Sequence, residues 1–425
     1  MGSLLGYIIA ISLFSSALFL KRIRRNWFSA DVFYCLLWSA ICFLASMRLY
    51  GLWGVSASCW ILIAFGSASF VLGSCLASGF SIRISPRESS CNDDFDEKLF
   101  FLVFIFIYLI TIPDFLQSLR LMMSGVDLAE IRLARFGMTE LDGIEKRSGL
   151  IAILRSYIIS SALIVLTASS INRFFISKGK IKFIIPVLGI IIMKSFINGG
   201  RFDFAYFFVQ FMSCYYIYKL NDPFYKLTDV RKIIVLTIIP FALVLIISLL
   251  RQTTIGGETF LAKYYRYFCG CVVFLDQNLR EKSSDFYSFS FASLYGIWQQ
   301  VLPFFKNFMS FEYPETYLKT IEYVLDGQIY RQIGDHMYTN AFITAFYHLF
   351  MDLRYVGVFI GMSMFGFSSQ LVYNEASRSK YLIVLYLMFM QFIFFSIFAY
   401  PFTSLGTINS FLILFFIKIL KIRIV

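Results

Sequence analysis

Histidine is almost missing from this chain, with two in 425 residues, and no stretch reads H-E-x-x-H. That scarcity argues against metal catalysis on imidazole ligands, and neither a metal nor another cofactor is expected. No G-x-x-x-x-G-K-[ST] loop occurs either, which excludes nucleotide hydrolysis by that route. Eight cysteines are present, but Cys35, Cys42, Cys59, Cys75 and Cys214 fall within apolar runs, where a thiol serves as a small hydrophobe. No disulfide framework follows, and Cys269-Gly270-Cys271 lacks the partner ligands of a metal or redox motif. Charged residues are scarce as well, at 15% of the chain. An ordinary soluble domain carries about 25%.

What the chain has instead is apolar length. Its residues are 59% hydrophobic with 51 phenylalanines, the mean hydropathy is +0.72, and apolar runs of 17 or more residues recur. The fold class is therefore all-α, a polytopic transmembrane helical protein. The runs 4–20, 31–50, 59–79, 99–117, 149–170, 182–198, 202–218, 233–250, 355–373, 381–399 and 407–420 read as about eleven spans. They consume nearly the whole chain, so residues 1–425 form one integral membrane domain without a separate globular domain.

A net charge of +12 raises the question of nucleic acid, and the placement of the basic residues answers it. Clusters at Lys21 to Arg25, Arg173 to Lys182, Lys219 to Lys232, Arg378 to Lys380 and Lys418 to Arg423 each border an apolar run, as cytoplasmic anchors do. The first run is followed, not preceded, by a basic cluster, the reverse of a secretory signal. Met1 is accordingly expected outside and Lys21 inside. The same alternation puts the links 118–148 and 251–340 outside, where acids balance bases. The second is the longest excursion from the membrane and carries aromatic clusters such as Tyr264-Tyr265-Arg266-Tyr267-Phe268 and Phe304-Phe305-Lys306-Asn307-Phe308. Interfacial helices lying on the bilayer fit that composition.

Two constellations carry polar chemistry. Arg155, Lys194, Arg201 (after Gly199-Gly200) and Arg251 fall at the outer ends of four successive spans. Intramembrane charges normally face a polar cavity or a ligand, and four cations at one depth suit a phosphate-bearing lipid. The plain alternative is snorkelling to bulk headgroups, with Asp203 pairing Arg201. The second constellation is Arg331, Asp335, His336, Tyr338, Asn340, Thr344, His348, Asp352 and Arg354. If 337–352 is one helix, positions 336, 340, 344, 348 and 352 form a polar stripe. Asp352, Asp335, His336 and His348 are then eligible general bases for a sugar hydroxyl. The plain alternative is surface hydrogen bonding with an Asp352–Arg354 ion pair. Asp94-Phe95-Asp96 looks like the acidic motif of many glycosyltransferases, but its short turn leaves no room for a nucleotide-binding fold.

Ser195-Phe196-Ile197-Asn198-Gly199-Gly200-Arg201, then Asn340 to Thr344, then Met351-Asp352-Leu353-Arg354-Tyr355-Val356-Gly357, resembles the Wzy-type O-antigen repeat-unit polymerases over nearly the whole chain. The chain departs from that family at Leu353-Arg354, where relatives read Phe-Gly, which puts a tight turn after Asp352 in doubt. The resemblance implies metal-independent glycosyl transfer at the periplasmic face of the bacterial inner membrane. The substrates would be undecaprenyl-diphosphate-linked glycans, and the partners a chain-length regulator and a flippase, with membrane lipid and no nucleic acid. Arg201, Arg251, Lys194 and Arg155 would hold diphosphate, Asp352 or His336 would accept the proton, and Tyr265, Arg266, Tyr338 and Asn340 would contact sugar. Three rival readings stand beside it: an O-antigen ligase acting on lipid A-core, a lipid-linked oligosaccharide flippase, and a structural membrane anchor.

Overall fold

The computed structural model describes residues 2–80, 96–135, 154–221, 242, 260–282, 286–309, 311–326, 331–339, 342–422 and 424. These residues form α1 (Gly2–Arg24), α2 (Ala30–Met47), α3 (Ala57–Leu76), α4 (Glu97–Met123), α5 (Leu128–Arg135), α6 (Ser160–Ile176), α7 (Ile185–Asn198) and α8 (Phe202–Asn221). There follow α9 (Phe260–Lys282), α10 (Tyr295–Met309), α11 (Glu315–Asp326), β1 (Arg331–Gly334), β2 (Met337–Thr339), α12 (Thr344–Glu375), α13 (Lys380–Phe395) and α14 (Leu405–Ile419). Every apolar run read as a span coincides with a helix except 233–250, which apart from Ala242 lies outside the described residues.

Among the described residues, seven helical stretches are long and apolar enough to cross a membrane: Gly2–Arg24, Ala30–Met47, Ala57–Gly79, Glu97–Met123, Tyr157–Ile176, Ile181–Asn198 and Thr344–Arg378. The chain is thus a multi-pass membrane protein by length and composition. Helices α13 and α14 are apolar but shorter, at 16 and 15 residues. Helix α8 carries Asp203, Gln210 and Lys219 and falls outside the seven.

The chain divides into two compact units. The first comprises residues 1–83, 255–375 and 389–408; the second comprises 84–254, 376–388 and 409–425. In the first unit small residues let the helices approach, as they must where lipid supplies no hydrophobic drive between them. Ser39 Oγ donates to the Ala10 carbonyl at 2.8 Å, joining α1 and α2. Gly73 of α3 lies against the Ser363 backbone and Gly366 of α12 against the Phe70 carbonyl, so a β-carbon at either position would overlap main chain.

One end of this unit gathers segments that the alternation puts on a common side. Gly2 lies against the Val55 carbonyl. Tyr265 Oη donates to the Leu44 carbonyl at 2.7 Å and accepts from Leu49 N at 3.0 Å, closing the C-terminus of α2. Asp276 accepts from Ser56 N at 3.2 Å and from Ser56 Oγ, and Ser56 in turn caps α3 by accepting from Cys59 N. Strands β1 and β2 form an antiparallel hairpin that the link 51–53 extends: Asp335 N donates to Gly51 O, and Trp53 N to Ile333 O, each at 3.0 Å. The opposite end is tied by Arg24 with Asp31 at 3.0 Å, Asn26 with Tyr373 at 3.0 Å, and Asn374 with the Ala77 carbonyl at 3.3 Å.

Helix α9 buries one face within the protein. Its Cys269, Cys271, Val272, Phe274 and Leu275 are fully buried, and it packs on α2, α3 and α12. Within 251–340, therefore, the face of α9 that carries Tyr265, Cys269 and Cys271 is core. Phe291, Tyr295, Trp298 and Tyr313 likewise collect around buried Tyr317 to hold α10 to α11. Phe304, Phe305 and Phe308 stay exposed at the end of α10.

In the second unit Asp96 caps α4 by accepting from Leu99 N at 2.9 Å. Helix α4 packs on α7 through Tyr108, whose hydroxyl donates to the Pro186 carbonyl at 2.9 Å, and through the Phe115 and Phe196 rings. Asn172 of α6 accepts from Tyr218 Oη at 2.9 Å and donates to the Lys380 carbonyl at 3.2 Å.

Candidate functional site

The first unit's polar site is built on a break in α12. Leu353 takes φ −143°, ψ 33° and Arg354 takes φ 54°, ψ −136°, so residues 344–352 and 355–375 are two helical arms. The arms fold back on one another. Gly357 lies against the Leu349 carbonyl, Gly361 against the Leu349 side chain, and the Phe350 and Tyr355 rings meet edge to face at 5.6 Å. A tight turn after Asp352 therefore exists, and Arg354 makes it.

Asp352 sits at the apex, 4% exposed. Its Oδ1 accepts from Ser288 Oγ at 2.5 Å and Ala292 N at 3.2 Å, and its Oδ2 from Ser293 N at 3.1 Å. The break also frees the Met351 carbonyl, which accepts from Ser288 N at 3.0 Å. Asp352 thus anchors the segment 288–293 on the hairpin. The expected Asp352–Arg354 ion pair is not made. The Arg354 guanidinium lies instead over Tyr287 at 5.1 Å and Phe350 at 5.0 Å. Its backbone occupies a region that suits glycine, a strain of about 1–3 kcal/mol. Two partly exposed ring contacts return about 0.5–1 kcal/mol each.

The expected polar stripe is only partly realised. Met337-Tyr338-Thr339 is a strand rather than the start of a helix, because the alternating, β-prone residues pair with Arg331–Gly334. Asp335 and His336 form the exposed turn of that hairpin, His336 at φ 61°, while Asp335 Oδ1 accepts from Trp53 Nε1 at 3.4 Å. Neither lies on a helix with Asp352. Thr344, His348 and Asp352 do share one helical arm and are all buried. Its start is level with the middle of α3, because the Phe346 ring lies on Gly66. There the backbone is unwound: Ile343 N donates to Phe398 O at 3.1 Å and Ala345 N to Ser396 O at 2.8 Å, just past the end of α13. Thr344 holds φ 73°, and its Oγ1 and His348 Nδ1 are buried without a well-formed hydrogen bond among the described residues.

Of the expected sugar contacts, Tyr265 is 8% exposed with its hydroxyl committed to closing α2, so it offers no face to a substrate. Arg266 Nη1 donates to the Tyr338 carbonyl at 2.9 Å, and Tyr338 is 40% exposed. Asn340 lies outside the described residues.

In the second unit the expected cations have partners. Arg155 pairs with Asp114 of α4, and its Nη2 donates to the Ile110 carbonyl. Arg135 reaches the same carboxylate at 3.4 Å and Gln117 Oε1 at 2.7 Å. Two guanidiniums therefore face one buried carboxylate. Lys194 pairs with Asp203 at 3.0 Å, so the acid once matched to Arg201 is held by the preceding helix. Gly199 takes φ 61° and ends α7 two residues before Arg201. Arg251 lies outside the described residues.

Asp114, Arg135, Ser288 and Ser293 were not singled out in the sequence. Asp114 had a signal, an acid inside the apolar run 99–117, for which Arg155 is the complement; the serines had none. Among the described residues no group of His, Cys, Asp and Glu could hold a metal. Comparison with known proteins yields no family model, curated protein or solved structure that matches the chain.

Proposed function

We propose that the protein joins undecaprenyl-diphosphate-linked oligosaccharide repeat units into a polysaccharide at the outer face of a bacterial inner membrane. The observation that carries this reading is the pair of arginines at Asp114. Arg135 and Arg155 both reach that one carboxylate, which is buried in the apolar helix α4, and guanidiniums gathered beside a membrane span suit an anionic lipid head. The Ser195 to Arg201 and Met351 to Gly357 sequences support it through their resemblance to the Wzy-type polymerases.

In the proposed reaction an acceptor hydroxyl oxygen attacks the anomeric carbon of the growing glycan. The bond from that carbon to the diphosphate oxygen breaks, and the diphosphate leaves with the electron pair. Arg155, Arg135, Lys194 and Arg201 stabilise a diphosphate head. The hydroxyl proton passes to a general base; within the first unit His336 and Asp335 are exposed at the hairpin turn, whereas Asp352 positions 288–293. Deleting the gene in a smooth Gram-negative host should leave lipopolysaccharide with a single repeat unit. Arg155→Ala with Arg201→Ala should do the same while the protein still accumulates in the membrane. A normal ladder in the double variant would remove the diphosphate role.

A second reading, a lipid-linked oligosaccharide flippase, draws on the unwound backbone at 343–345 and 396–399, since broken helices at mid-depth are a transporter feature. Loss of every repeat unit on deletion would select it, or a ligase, over the polymerase.

A further inference from the structure

We propose that Arg354 is an oxyanion-binding residue, placed at the apex of the α12 hairpin to take a phosphate or carboxylate group of a substrate. Three observations converge on it. The first is conformational: φ 54° with ψ −136° is a backbone position for glycine, and a long cationic side chain stands there instead. The second concerns what the side chain does. Its guanidinium lies over the Tyr287 ring and the Phe350 ring, contacts no stronger together than the strain they accompany. They are not needed to fasten the segment either, because Asp352 already holds Ser288, Ala292 and Ser293, and Met351 O holds Ser288 N.

The third observation is what remains unused. Contacts with aromatic rings fill none of the guanidinium's N–H donors with an oxygen acceptor, and those donors form the edge that grips oxyanions in pairs. Among the described residues no carboxylate or carbonyl occupies that edge, and Asp352, two residues away, is turned into the 288–293 segment. Arg354 is partly exposed and Tyr287 is 42% exposed, so the edge is reachable. A purely structural role would be better served by glycine.

The inference stands apart from the polymerase reading, and its test reads binding rather than product. Full-length protein in lipid nanodiscs is titrated with inorganic pyrophosphate and, separately, with glucuronate. Saturable binding of pyrophosphate alone identifies a phosphate group as the ligand; saturable binding of glucuronate alone identifies an acidic sugar. Arg354→Gly should fold, melt no lower than the parent, and bind at least tenfold more weakly. If the glycine variant does not fold, Arg354→Lys decides, since it keeps charge and backbone but loses the planar fork. A severalfold loss of affinity at unchanged melting temperature supports the proposal. Binding by either folded variant equal to the parent's, or no saturable binding by the parent, overturns it.

Discussion

Asp114 in the second unit and Asp352 in the first are both buried carboxylates in apolar helices, 6% and 4% exposed, and they are satisfied in opposite ways. Asp114 faces two guanidiniums; Asp352 accepts from the Ser288 and Ser293 side chains and from the Ala292 and Ser293 backbone N–H groups. A carboxylate ringed by neutral donors fixes the backbone that donates to it, so its role is positional. One paired with guanidiniums joins the helices that carry them, so its role is electrostatic.

The comparison can be broken most forcefully at Asp114. Asp114→Ala takes the carboxylate from two guanidiniums, and denaturant unfolding in micelles should record a loss of about 3–5 kcal/mol. A loss below about 1 kcal/mol would mean that the arginines reach lipid or water unaided. At the other carboxylate, Asp352→Ala leaves the Ser288, Ala292 and Ser293 donors without their acceptor and should lose about 2–3 kcal/mol. Limited proteolysis should then cut within 286–294. Asp352→Asn should recover part of the loss, because the amide oxygen still accepts. Equal damage from both substitutions would make charge, not geometry, the important property.

Gly357→Ala tests the hairpin that presents Asp352. Its methyl group meets the Leu349 carbonyl, and a loss of about 1–3 kcal/mol is expected; an unchanged melting temperature would mean the arms are not closely folded. The smallest effect belongs to Tyr265→Phe, which removes one hydroxyl between Leu44 and Leu49 and should cost about 1 kcal/mol while glycan length stays unchanged. Shortened glycan at full stability would return Tyr265 to a substrate role.

Much of the helical layout is legible in the sequence because hydropathy over 17 or more residues needs no tertiary information: α1 to α4 and α7 match their expected runs closely, while α6 runs on to Ile176, past its expected end at 170. The region after Arg331 is less legible, for physical reasons. A period of four from His336 to Asp352 reads as a helix, yet strand pairing with Arg331–Gly334 and contact with Gly51 claim its first part. The α12 turn is hidden because its backbone position carries arginine rather than glycine. Charge placement was partly legible: Arg155 and Lys194 stood out, but Asp203 turns to Lys194 and Asp114 to Arg155, choices that only helix packing decides.

The hydrogen bonds from Ile343 and Ala345 to Phe398 and Ser396 also set an order of assembly during synthesis. The acceptors leave the ribosome some fifty residues after the donors, a delay of about 3–10 s at ordinary translation rates. Until then the unwound start of α12 has unpaired amides in an apolar setting, which a nascent chain cannot sustain in lipid. The start of the arm that carries Asp352 is therefore completed only once Ser396 and Phe398 have been made, and a chain stopped before Ser396 would lack the acceptors that hold 343–345.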